Sequence, residues 1–200
     1  MADFDKIASL IIKLKNTDIR VRDELIRKGI LNDEYHPEME KIHIENAKIL
    51  ETIIDKHGYP TIQKVGKEAH EAAWLIIQHA ISKPQFMKKC QKLLEIVVKE
   101  NNASKINNAY LKDRIAVFEN KKQFFGTQFD WDKNGKLAPN PLECIIKVNK
   151  RRKSIGLNSI EEQTEILNNI AKKENQHPPK DALKLKQSYE AWRKKVGWIN

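Results

Sequence analysis

The sequence predicts a mainly α fold: a single-domain helical bundle with a small β-hairpin or ordered loop near residues 121–139. Three observations predict it. Apolar residues recur at three- and four-residue spacing through most of the 200 residues. Glycines, prolines and capping residues stand where these runs start and stop. One stretch, KKQFFGTQFDWDKNGKLAP at 121–139, departs from that spacing, with clustered aromatics and the tight-turn signal Asn134-Gly135.

The elements follow in order. Phe4, Ile7, Leu10, Ile11, Leu14, Val21, Leu25 and Ile26 lie at helical spacing, and Gly29 ends the run. Pro37 suits the first turn of a second helix, which carries Ile42, Ile49, Leu50, Ile53 and Ile54 to a stop at His57-Gly58. Tyr59-Pro60 is a turn. A third helix is predicted over about 66–81. A fourth runs over about 84–100 from Pro84, and a fifth over about 104–120 with Ser104 as cap. After the hairpin region, helices are expected at 143–154 and 159–174, with Gly156 between them and Asn158 or Ser159 as cap. Residues 1–174 are read as the helical domain, 175–180 (NQHPPK) as a linker, and 181–200 as an amphipathic C-terminal helix with Leu183, Leu185, Tyr189, Trp192 and Val196.

Charge and composition narrow the function classes. The net charge is +10, and residues 147–200 hold 13 Lys/Arg against 6 Asp/Glu. Such an excess attracts nucleic acid or anionic lipid, or simply solvates a surface. No apolar run approaches the roughly 20 residues of a membrane span, and MADFDKIASL has aspartates where a signal peptide needs positive charge. A cytoplasmic protein is expected. Cys90 and Cys144 are too far apart in sequence for a paired metal motif and are read as small buried hydrophobes. His70 and His79 point to opposite faces of one helix, so no metal and no cofactor is assigned.

Three stretches carry polar groups where a core is expected. In AAWLIIQHA, 72–80, apolar groups surround most of the helix, which predicts a central position. Gln78 and His79 then need partners or a cavity, since an unpaired buried polar group costs roughly 1–3 kcal/mol. His79 also closes a helix, where an imidazole can meet free carbonyls. In NNAYLKDRIAVF, 107–118, Arg114 falls within an apolar arc and Asp113 at its edge; a buried guanidinium must be paired, and one reading makes it an anion clamp. In QFFGTQ, 123–128, Gln123, Thr127 and Gln128 offer amides and a hydroxyl among aromatics, with Gly126 permitting a bend.

Together these stretches resemble a widespread, mainly bacterial domain of unknown function, number six-six-two-four. The matching motifs are His57-Gly58-Tyr59-Pro60, Val65-Gly66, AAWLIIQHA, Pro84-Gln85-Phe86, AYLKDR at 109–114, QFFGTQ at 123–128 and KRRKSIGL at 150–157. The resemblance covers about residues 18–168. Phe125 and Tyr59 stand where tyrosine and tryptophan are the commoner family choices. It implies a mostly helical domain whose shared polar residues map to Gln78, His79, Asp113, Arg114, Gln123, Thr127 and Gln128, with Arg20 and Arg152 as looser matches. It implies no activity.

Three functional expectations follow. The first is a binding or interaction module, for a small anionic ligand or a protein partner, with a polar pocket between the third and fifth helices under the Gln123–Gln128 loop. The second is an enzyme acting on a small phosphate- or sugar-bearing substrate. There His79 or Asp113 is the acid/base, Arg114 the anion clamp, and Gln78, Gln123, Thr127 and Gln128 the orienting groups. The third is nucleic-acid binding through Lys150, Arg151, Arg152 and Lys153 in the basic C-terminal quarter. No membrane partner is expected.

Overall fold

A computed structural model describes residues 3–31 and 35–200. It is mainly α, as expected, and its elements form two compact units, residues 1–104 and 105–200.

The first unit holds α1 (Phe4–Arg27), α2 (Pro37–His57), α3 (Ile62–His79) and α4 (Pro84–Lys99). Side-chain capping sets three of their starts: Asp3 accepts from the Lys6 amide before α1, His36 from the Glu38 amide before α2, and Thr61 from the Lys64 amide before α3. Gly58 takes φ 74° beyond the end of α2, a conformation that favours glycine. α3 is interrupted at Gly66 (φ 77°), so its long second segment begins where the expected helix does. That segment is central, packed against α1, α2 and α4, and buries Ala69, Ala72, Ala73, Ile76 and Ile77. Leu14, Leu50, Met87 and Leu94 complete this core from the other helices.

The second unit holds α5 (Lys105–Phe118), β1 (Phe129–Trp131), β2 (Leu137–Pro139), α6 (Ile145–Ser154), α7 (Ile160–Lys173) and α8 (Ala182–Val196). The strands pair antiparallel with Trp131 opposite Leu137, and the Asp132 carboxylate accepts the Asn134 and Lys136 amides inside the turn. α7 starts with a complete capping box of Ser159 and Glu162. The C-terminal helix docks inside this unit. Phe118 stacks on Trp198 at 4.8 Å and meets Trp192 edge-on, while Arg193 donates to the carbonyls of Val117 and Phe118. Those carbonyls end α5, so the guanidinium caps it.

The two cysteines differ. Cys90 lies in the core, and burial pushes its thiol up. Cys144, expected to be buried, is exposed at the N-cap of α6, where the Lys147 and Ile146 amides hold its thiol below the ordinary value. One thiol should therefore react with Ellman's reagent in the native protein and the second only after denaturant is added. Two fast thiols, or none, would contradict this placement.

Candidate functional site

Asp18 lies on the buried stripe of α1, in step with Ile11, Leu14 and Leu25. His43 lies on the buried stripe of α2, in step with Met39, Ala47 and Leu50. His79 is the last residue of α3. Asn46 fixes the first two helices against each other by donating to the Leu14 carbonyl at 3.1 Å, one turn away from both residues. The packing of the three helices thus brings three ionisable side chains together.

His79 Nδ1 lies 2.7 Å from Asp18 Oδ2, and His43 Nε2 lies 3.4 Å from the same oxygen. The two imidazoles are 4.8 Å apart between centroids. Tyr35 Oη is 2.7 Å from His43 Nδ1, on the far side of that ring. The Asp18 side chain is 1% exposed and that of His43 9%, whereas that of His79 is 28% exposed, so solvent meets the group at His79. Burial alone would raise the Asp18 pKa, but the hydrogen bonds and positive charge of His43 and His79 outweigh it and hold the carboxyl far below its usual range. Asp18 Oδ1 and Gln78 Nε2 are buried without a hydrogen-bond partner among the described residues, and His43 Nε2 has the long 3.4 Å approach to Asp18 Oδ2.

His79 therefore turns to a carboxylate from α1, not to the carbonyls at its own helix end. His70, its neighbour on α3, is fully buried and bonds the Pro60 carbonyl instead. Asp18 and His43 escaped the sequence reading. The signal for both was present: a carboxylate and an imidazole at apolar positions of otherwise regular helical stripes. An open depression of about 630 Å³ runs along α1, lined by Asn16, Ile19, Arg20, Asp23, Ile26 and Arg27, and none of the three residues lines it.

The other expected site residues form a second group, within the second unit. Asp113 is fully buried at the middle of the 124–127 turn. Its two oxygens accept the amides of Phe124, Phe125 and Thr127 and the Thr127 hydroxyl, at 2.8 to 3.1 Å. Burial pushes its carboxyl up, and those hydrogen bonds work against the rise. Gln123 accepts from the Gln128 amide and donates to the Gln128 and Asn140 carbonyls, and Gln128 donates to the Thr127 hydroxyl. Arg114 lies 5.7 Å over the Phe118 ring.

Two members of the basic run are also engaged here. Arg152 is 2% exposed and donates to the Phe125, Gly126 and Asn158 carbonyls. Arg151 stacks 3.4 Å over Phe124, donates to its carbonyl and pairs with Glu143 at 2.7 Å. Lys150 and Lys153 are exposed.

Fold and site together define a mainly helical protein that carries a buried carboxylate–imidazole centre in its first unit. No helix among the described residues is long and apolar enough to cross a membrane. The chain belongs to the family of unknown function DUF6624, whose model matches residues 6–173. Asp18, His43 and His79, and the Asp113 turn, all fall inside that span; α8 lies beyond it. No curated protein and no solved structure matches the chain.

Proposed function

We propose that the protein acts on a small polar or anionic molecule by acid/base chemistry at Asp18, His43 and His79. One observation carries this reading: three ionisable side chains from three helices converge, and only His79 is open to solvent. A fold gains little from burying such a group, because the desolvation cost offsets the attraction. In the proposed role His79 exchanges a proton with the bound molecule. Asp18 holds the imidazole in one tautomer and stabilises its charged form, as a carboxylate does behind a general-base histidine. Gln78, whose amide nitrogen lacks a partner, is the nearest residue in sequence available to orient a ligand. The Asp113, Thr127, Gln123 and Gln128 group is read as scaffolding of the second unit, since its donors and acceptors serve one another.

Thermal-shift screening against nucleotides, sugar phosphates and amino acids tests the reading. A ligand present at about 100 times its Kd stabilises by about 2.7 kcal/mol. That amounts to a rise of roughly 5–10 °C in Tm for a chain of this size. The rise should vanish in His79→Ala, which should itself melt within a few degrees of the parent. A ligand that stabilises both proteins equally would remove His79 from the site.

A further inference from the structure

We infer that Asp18, His43 and His79 form a binding site for a divalent first-row transition-metal ion, such as Zn²⁺ or Fe²⁺; this rests on the proposed role of the cluster as the working centre. One ligand atom from each residue lies within 4.8 Å of the other two. An ion held at about 2.0–2.2 Å from three ligands needs separations near 3–3.5 Å between them. The 3.4 Å from His43 Nε2 to Asp18 Oδ2 already fits, the 2.7 Å contact of His79 must open by a few tenths of an ångström, and the two histidine ligand atoms, within 4.8 Å of each other, must close to that range when an ion binds.

Three further observations point the same way. Asp18 Oδ1 is unpartnered and His43 Nε2 makes only a long approach to Asp18 Oδ2, and both are potential ligand atoms of this cluster. Tyr35 sits on His43 Nδ1. With Nδ1–H donating to Tyr35 Oη, the lone pair falls on Nε2, the nitrogen that faces Asp18, and a histidine ligand is commonly oriented in this way through its other nitrogen. The donor set itself is selective. Two imidazoles and one carboxylate suit zinc, iron, cobalt or nickel and not calcium or magnesium, which prefer oxygen ligands.

Three protein ligands leave coordination positions open, and solvent reaches the cluster at His79. An ion there would carry water and lower its pKa toward neutrality. The metal-bound water, in place of the free imidazole, would then be the base of the proposed reaction.

The test is calorimetric titration of the 200-residue protein, stripped with a chelator, with Zn²⁺, repeated with Co²⁺ to read visible absorption. One equivalent should bind, and Co²⁺ should show the absorption of a site with nitrogen and oxygen ligands. His79→Ala and His43→Ala should each weaken binding by about 100-fold or more, Tyr35→Phe by about 10-fold, and His177→Ala not at all. Circular dichroism establishes that each variant is folded. No saturable binding to the parent, or binding indifferent to His79→Ala in a folded variant, would overturn the inference. If zinc fails to bind while His79-dependent ligand stabilisation persists, the metal site falls and the acid/base reading stands. Zinc binding with no ligand response supports the metal site alone.

Discussion

Asp113→Ala should lower the unfolding free energy by about 3–5 kcal/mol. The carboxylate is fully buried and accepts three backbone amides and one hydroxyl of a single turn. Without it, four donors lose their acceptor at once. Each unmet buried donor costs roughly 1–3 kcal/mol, and partial relaxation keeps the total below the simple sum. Asp113→Asn keeps the shape and one acceptor oxygen but turns an NH₂ toward amide hydrogens, so about half the loss should remain. Thr127→Val removes only the hydroxyl contact and should cost about 1 kcal/mol. Urea unfolding of the three variants measures the series. Equal, small losses in all three would mean that the turn is held by something other than this carboxylate, and Asp113 would again be free to serve as an acid/base group.

Gly126→Ala should cost about 2–5 kcal/mol from two separable sources. Gly126 has φ 65°, a region that charges an L side chain about 1–2 kcal/mol. Its added Cβ would lie 2.4 Å from Ile160 Cδ1 and 2.9 Å from Leu142 Cδ2, a clash that forces repacking at about 1–3 kcal/mol. Gly156→Ala isolates the first source, because φ there is 82° and nothing lies within 4 Å of the added atom. Pairing Gly126→Ala with Ile160→Ala in a double-mutant cycle exposes the second as a coupling energy. A Gly126→Ala variant as stable as Gly156→Ala would show that the loop does not press on α7.

Helical spacing and cap residues made most of the fold legible. Pro37, Gly58, Pro84 and Ser159 stand at or beside the ends of their helices because each has a local conformational reason to. The central position of AAWLIIQHA was also readable, since apolar residues on nearly every side of a helix require neighbours on nearly every side. The site was half legible. His79 stood out as a polar group ending an apolar helix. Its partners, Asp18 and His43, lie 61 and 36 residues earlier in the chain, and helical spacing says which face a residue occupies but not which helix that face will meet. Asp113, Thr127 and Gln123 stood out as polar groups beside apolar and aromatic residues and were read as facing a ligand, with their partners unspecified. That they find those partners in one another and in backbone amides depends on the path of the 123–128 loop, which Gly126 and buried Arg152 set together.

The 124–127 turn lies between an anion and a cation that attract each other and grip it by different atoms. Asp113 takes the amide hydrogens of Phe124, Phe125 and Thr127, and Arg152 takes the carbonyl oxygens of Phe125 and Gly126. A peptide group has a direction, with positive hydrogen at one end and negative oxygen at the other. An ordinary ion pair survives exchange of its two members, because only their mutual attraction counts. This arrangement has a polarity: swapping Asp113 and Arg152 would point each charge at the wrong end of every peptide it now holds. The two positions are therefore bound to their present signs by the backbone between them, and a drift to neutral pairs is open to them only if the turn itself is rebuilt.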